Sequence, residues 1–187
     1  MGCSEFDPAT KERRPWNTGR RLGAKRALKP RQVWAIRFWL DRERRLRDRA
    51  MFDLAIDSKL RWCDVVKIKI GDLVSGGRVR SRAIVVQQKT GRPVQFELLE
   101  PARGSIFAWL EHQAARSRIS PFRAGSITPI MSARQYARLV DEWVKGIGLR
   151  REDYGAHSLR RAARHWVAIS ADESAEFVPA IVDAPTD

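Results

Sequence analysis

The stretch VKIKIGDLVSGGRVRSRAIVVQQKTGRPVQFEL, residues 66–98, decides the fold class. Val66, Ile68 and Ile70 alternate with Lys67 and Lys69, the period of a half-buried strand. Ser75-Gly76-Gly77 is a turn, and Ala83 to Gln88 is a second strand rich in β-branched residues. Thr90-Gly91-Arg92-Pro93 turns the chain again, and Val94, Phe96 and Leu98 alternate with Gln95 and Glu97 in a third. Three strands with short turns predict one three-stranded antiparallel meander.

On both sides of this stretch the apolar period lengthens to that of helices. Pro30 suits a first helical turn, and Val33, Ile36 and Leu40 form a stripe that Trp34 and Phe38 broaden. The charged run Arg42 to Arg49 leads into a second helix with Met51, Leu54 and Ala55 inward, which turns near Ser58. Beyond the strands, residues 101–115 carry Ile106, Trp109 and Leu110 inward, and residues 117–131 read as a loop with Pro121, Gly125 and Pro129. Ser132 and Gln135 make a capping-box start, followed by Tyr136, Leu139, Val140, Trp143 and Ile147. Gly146 and Gly148 mark that helix's end, and a last helix runs from Ser158 to about Ile169. Strands grouped between helices predict an α+β fold, mostly helical with one three-stranded antiparallel sheet. Trp34, Trp39, Trp109 and Trp143, four of the seven tryptophans, fall on or beside helical stripes and are expected in the core.

The chain has 187 residues, with 36 Lys+Arg against 22 Asp+Glu, a net charge of +14. Its hydrophobic share, 43%, is enough for a core. No apolar run approaches the roughly 18 to 20 residues of a membrane span, and no apolar stretch follows Met1-Gly2-Cys3-Ser4-Glu5 as in a secretory signal. Two cysteines, Cys3 and Cys63, argue against a disulfide scaffold or a zinc ribbon. Neither His112 nor His165 has acidic or Cys neighbours at metal spacing, so no metal is expected. The charge surplus favours a polyanion, with nucleic acid first and an anionic membrane surface second. It is uneven: residues 1–50 hold 15 Lys+Arg and 6 Asp+Glu, whereas residues 166–187 hold none of the former and 5 of the latter. Pro8, Pro15, Gly19 and Gly23 break any period near the start, where Arg13, Arg14, Arg20, Arg21, Lys25 and Arg26 repel one another. The expected organisation is a basic flexible arm over 1–29 that grips DNA through those six residues, a domain over 30–165, and an atypical acidic, disordered tail over 166–187.

Three local features carry candidate chemistry. In His157-Ser158-Leu159-Arg160, positions i and i+3 share a helix face, which sets an imidazole beside a planar guanidinium fork suited to a phosphate. The same spacing also fits an ordinary helix start with solvated charges. Arg61 lies among Leu60, Trp62, Cys63 and Val65, three residues before Asp64, which is placed to orient it. A purely structural Arg–Asp pair is the other reading. Lys89 stands at a hairpin tip, from which a flexible ammonium reaches either a substrate or only water.

The ordered set Arg61, Lys89 and His157-x-x-Arg160 resembles the catalytic domain of tyrosine recombinases, the phage-integrase family. The phrases Asp53-Leu54-Ala55-Ile56-Asp57-Ser58-Lys59-Leu60-Arg61, Lys89-Thr90-Gly91-Arg92-Pro93-Val94 and His157-Ser158-Leu159-Arg160-Arg161 are similar to those of short bacterial members, over roughly residues 15–162. The resemblance implies DNA breakage and rejoining: a tyrosine attacks a phosphodiester, forms a 3′-phosphotyrosyl link and frees a 5′-hydroxyl. Arg61 and Arg160 would clamp the nonbridging oxygens. Lys89 would protonate the leaving oxygen, His157 would assist proton transfer, and Asp64 would support Arg61. No cofactor and no metal is implied, since the phosphotyrosyl bond conserves the energy of the bond it replaces. The partners implied are double-stranded DNA and other recombinase protomers on it, with no membrane, in a bacterial cytoplasm at the nucleoid.

This sequence departs from the family's pattern downstream of Arg161. The nucleophile belongs there, yet Tyr136 and Tyr154, the two tyrosines of the chain, both precede Arg160. The residues after Arg161 lose the family's character, and the tail reads as a truncated or frame-shifted end. Trp62 stands where a smaller residue is usual, and there is no room for a separate helical DNA-binding domain before the catalytic one. The sequence therefore predicts a recombinase-like protein that lacks its own nucleophile. The neighbouring readings are a non-catalytic DNA-binding regulator or decoy subunit, and a type IB topoisomerase-like enzyme, against which the short chain counts.

Overall fold

The computed structural model describes residues 25–116 and 131–162. Helix α1, Pro30–Arg42, starts as its proline suggests, and the Lys29 N–H donates to Gln32 Oε1 at 2.9 Å. Val33, Ile36 and Leu40 are buried as expected. Trp34 and Phe38 do not widen that stripe inward: they are 51% and 71% exposed. Trp39 is half-buried, while Trp109 and Trp143 are core residues.

Helix α2, Leu46–Ser58, is the centre of the molecule, and every residue from Ala50 to Ser58 is buried. It packs on α1 and on α5, Glu100–Arg116. A helix enclosed on all sides must satisfy its polar groups internally. Asp53 Oδ1 accepts from Arg37 Nε of α1 at 2.6 Å and Asp53 Oδ2 from Arg49 Nε at 2.7 Å, while Arg49 also bonds Asp41. One turn on, Asp57 Oδ2 accepts from the Leu99 N–H at 2.8 Å, fixing the entrance to α5. The second Asp57 oxygen is enclosed and has no hydrogen-bond partner among the described residues. Burial pushes the Asp57 carboxyl up to about 6, against the opposing pull of the Leu99 N–H and the Arg37 charge.

The strand expected at Val66 to Ile70 does not form. Its place is taken by two single-turn helices, α3 (Trp62–Val65) and α4 (Ile70–Leu73), with Val66 itself helical in φ and ψ. Val66, Ile68 and Ile70 are all buried and Lys67 and Lys69 exposed, so the alternation is real. Its cause is a connector between two turns, with Lys69 contributing one isolated bridge. Three apolar residues at spacing two do not distinguish these cases.

Among the described residues, two antiparallel pairs stand in place of one three-stranded sheet. Strands β1 (Val74–Ser75) and β2 (Arg78–Val79) join through Gly76 and Gly77, both at positive φ (57° and 75°), the requirement of a tight two-residue hairpin. Strands β3 (Arg82–Val86) and β4 (Pro93–Glu97) pair with Ala83 opposite Phe96 and Val85 opposite Val94, apolar faces turned to the body. The result is still α+β and mostly helical.

Helix α6, Ala133–Gly146, begins with the expected box: Ser132 Oγ accepts from the Gln135 N–H at 3.3 Å, and Gln135 Oε1 accepts from the Ser132 N–H at 2.7 Å. Trp143 meets Phe52 of α2 edge to face, with centroids 5.6 Å apart. At the helix end a Cβ on Gly146 would lie 2.4 Å from the Trp39 ring, so only glycine admits this contact with α1. Residues 156–162 are helical and are labelled α7. The loop expected at 117–131 lies, but for Met131, outside the described residues, as does the tail from 166.

Candidate nucleic-acid site

At the end of α2 the chain reverses through Lys59, in the left-handed region (φ 54°), and Leu60 is buried as an anchor. Arg61 is then extended (φ −73°, ψ 152°) and becomes the N-cap of α3, its carbonyl accepting from the Asp64 and Val65 N–H groups at 2.9 and 3.0 Å. Its side chain is half-buried, and Nη1 is enclosed with no hydrogen-bond partner among the described residues. A guanidinium nitrogen withdrawn from water without a protein acceptor is costly to keep.

The turn after Gly155 sets the second guanidinium. The Ser158 N–H donates to the Gly155 carbonyl at 2.8 Å and Ser158 Oγ accepts from the Gly155 N–H at 3.0 Å, so α7 starts with a closed, buried cap. Leu159 and Ala162 face the core, which leaves His157 exposed and Arg160 half-buried on the other side. Arg160 Nε donates to the Lys59 carbonyl at 3.0 Å, two residues before Arg61.

Lys89 is exposed at the tip of the β3–β4 hairpin, as the sequence suggests. The tip is closed by Gln87 N–H to Arg92 carbonyl (3.0 Å) and Gly91 N–H to Gln87 carbonyl (2.8 Å), with Gly91 at φ 63°. It is tied to α3 by a bond that no local pattern foretells: the Gln88 N–H donates to Asp64 Oδ1 at 3.0 Å. Asp64 makes no ion pair with Arg61 among the described residues, contrary to the pairing expected from their spacing. Its other oxygen is enclosed and without a hydrogen-bond partner there.

Two hydrogen bonds thus draw together three segments far apart in sequence, residues 59–64, 87–92 and 157–160. Beside them lies an open cleft of about 360 Å³, lined by Asp64, Lys67, Lys69, Ile84, Val86 and Gln88 among others. Lys67 and Lys69 escape a reading of that segment as a strand, which treats them as solvated positions.

The arm residues divide. Arg13, Arg14, Arg20 and Arg21 lie outside the described residues. Lys25 and Arg26 belong to the packed body. The Lys25 ammonium donates to the Glu152 carbonyl at 2.5 Å, its carbonyl accepts from Arg161 Nη1 at 2.5 Å, and the Arg26 N–H donates to the Asp153 carbonyl at 2.8 Å. With Leu28 buried, residues 25–29 are docked, and a boundary at 29/30 cuts through this contact.

Both tyrosines are occupied. Tyr136 is buried against Trp143, and burial holds its hydroxyl far above the usual phenol range. Tyr154 is buried and its oxygen accepts from Gln32 Nε2 at 3.1 Å.

No family model matches the chain, and no curated protein does. Among solved structures it is similar to the XerA recombinase (TM-score 0.58, 14% identity), over 79% of this chain and 52% of that one. It is also similar to the XerH site-specific recombinase bound to its difH substrate in a pre-cleavage complex (TM-score 0.55, 16% identity), over 77% of this chain and 43% of that one. The XerH post-cleavage complex with palindromic difH gives 0.56 and 16%, over 79% and 43%. At these identities the likeness establishes a shared fold, and the chain spans about half the length of these recombinases.

Proposed function

We propose that this protein is a DNA-binding member of the tyrosine-recombinase fold that captures a DNA phosphodiester between Arg61 and Arg160 and does not form the phosphotyrosyl link itself. The observation that carries this reading is the convergence of the Arg61, Lys89 and His157–Arg160 segments through the Arg160–Lys59 and Gln88–Asp64 bonds. Two guanidiniums, of which Arg61 keeps an enclosed Nη1 without a hydrogen-bond partner among the described residues, match the charge that gathers on nonbridging phosphate oxygens. Lys89 on its hairpin and His157 on α7 are the groups that would pass protons to and from the bridging oxygens. The XerH neighbours are complexes with a difH substrate before and after cleavage, and this supports a cleavable polymer such as duplex DNA as the partner here. The +14 charge agrees.

The burial of Tyr136 and the engagement of Tyr154 with Gln32 favour a role in binding and regulation over strand cleavage by this chain alone. A phenol must stand in line with the scissile bond to attack it, and neither ring is free to do so. The arm over 1–24 and other recombinase protomers on the same DNA complete the proposal.

The test is a titration of duplex DNA with and without orthovanadate, followed by a denaturing gel. Tight binding that orthovanadate weakens by competing for the clamp, with no covalent adduct, is expected. An adduct lost in Tyr154→Phe or Tyr136→Phe would overturn the non-cleaving role. Duplex affinity unchanged by Arg61→Ala with Arg160→Ala would overturn the clamp.

A further inference from the structure

We infer that Asp64 is a positioning residue for Lys89, acting through the main-chain N–H of Gln88 rather than through Arg61; this rests on the reading of Lys89 as a DNA-facing group. Asp64 is 2% exposed, yet Oδ1 has the single Gln88 N–H and Oδ2 has no hydrogen-bond partner among the described residues. A buried carboxylate with so few donors is costly to keep, and an apolar residue would fill the same space at α3 without that cost. What the carboxylate secures is the hairpin. Strands β3 and β4 hold each other only up to Val86 and Pro93, and beyond these the tip closes on itself through Gln87, Gly91 and Arg92. Nothing in those bonds fixes the direction of the tip relative to α3. The Gln88–Asp64 bond does, crossing 24 positions in sequence. Consecutive Cα atoms lie about 3.8 Å apart, so anchoring Gln88 also places the Lys89 backbone. Arg61 is the N-cap of the same one-turn helix, so hairpin and first arginine share one support.

The tether needs only an acceptor at Oδ1, whereas orienting Arg61 by an ion pair needs the negative charge. Asp64→Asn keeps the first and removes the second; Asp64→Ala removes both. The experiment measures, in the full chain, hydrogen exchange at the Gln88 amide and the protection of Lys89 from acetylation by saturating duplex DNA. Asp64→Asn should behave as wild type in both. Asp64→Ala should speed Gln88 exchange about tenfold or more and lose the Lys89 protection, while circular dichroism and vanadate binding at the arginines persist. Gln88→Ala, which keeps the N–H, should change neither. Loss in Asp64→Asn equal to that in Asp64→Ala would overturn the tether in favour of a charge role, and so would unchanged Gln88 exchange in Asp64→Ala. If DNA fails to protect Lys89 in the wild type while the exchange pattern holds, the DNA-facing reading of Lys89 falls and the tether stands.

Discussion

The guanidinium of Arg160 donates through Nε to the main-chain carbonyl of Lys59, 3.0 Å away and 101 positions earlier in the chain. One nitrogen therefore spends its proton on the protein and sets the plane of the fork, while the α2–α3 corner that carries Arg61 is held against α7. A rigid corner matters because transition-state charge is stabilised by donors already in place, not by donors that must be reorganised.

Replacing either arginine should weaken the clamp without unfolding the chain. Arg61→Ala and Arg160→Ala are each expected to lower orthovanadate affinity of the DNA-free chain about 10- to 100-fold. Arg160→Lys should recover little, because an ammonium does not span the Lys59 carbonyl and an anion in one plane. Calorimetric titration checks this, with far-ultraviolet dichroism to establish folding.

DNA affinity should fall steeply with salt. Each neutralised phosphate contributes a slope of about −0.9 in log K against log salt. Deleting residues 1–24 should flatten the slope by removing Arg13, Arg14, Arg20 and Arg21, whereas Lys25→Ala should chiefly lower stability, since that ammonium is bonded to the Glu152 carbonyl. A slope unchanged by the deletion would exclude the arm from the DNA contact.

Stability should depend on pH through Asp57. Its carboxyl is raised to about 6 from 3.8, so between those values the folded chain holds more of that proton than the unfolded chain. The contribution of this group is fully favourable below about pH 4 and is lost as pH rises through 6, by about 2 to 3 kcal/mol. Asp57→Asn keeps an acceptor for Leu99 and does not ionise. Relative to wild type it should gain that amount between pH 4 and pH 7.5 in denaturant unfolding. A difference that stays flat with pH would show the carboxyl ionising as in the unfolded chain.

Gly146→Ala should destabilise despite the better helix propensity of alanine, which contributes up to about 1 kcal/mol. The new Cβ meets the Trp39 ring at 2.4 Å, and overpacking of this kind costs about 1 to 3 kcal/mol. Combining it with Trp39→Leu should recover part of the loss, giving a coupling measurable by a double-mutant cycle. Strict additivity would mean that the two residues do not touch in solution.

The sequence by itself determined the helices and their inward faces. Periodicity placed Val33, Ile36 and Leu40 in α1, and Tyr136, Val140 and Trp143 in α6, because burial on one side of a regular helix imposes its own spacing on the residues. The β3–β4 hairpin was legible for the same reason, with Gly91 supplying the turn. The first strand was misread because Val66, Ile68 and Ile70 alternate between two helical turns, and a three-residue pattern carries no information about φ and ψ. Trp34 and Phe38 were misplaced because hydrophobicity records what a side chain tolerates and not which neighbours cover it. The types and order of the candidate site residues were also legible, as arginines, a lysine and a histidine in a suggestive succession. Their relationships were decided by the tertiary structure alone. Asp64 turns to Gln88, Arg160 to Lys59 and Lys25 to Glu152, across 24, 101 and 127 positions. Each of these bonds ends on a main-chain N–H or carbonyl. Every residue except proline offers both groups, so side-chain identity leaves no mark of the partner in the sequence, and only the packing of α2, α3 and α7 determines which one is in reach.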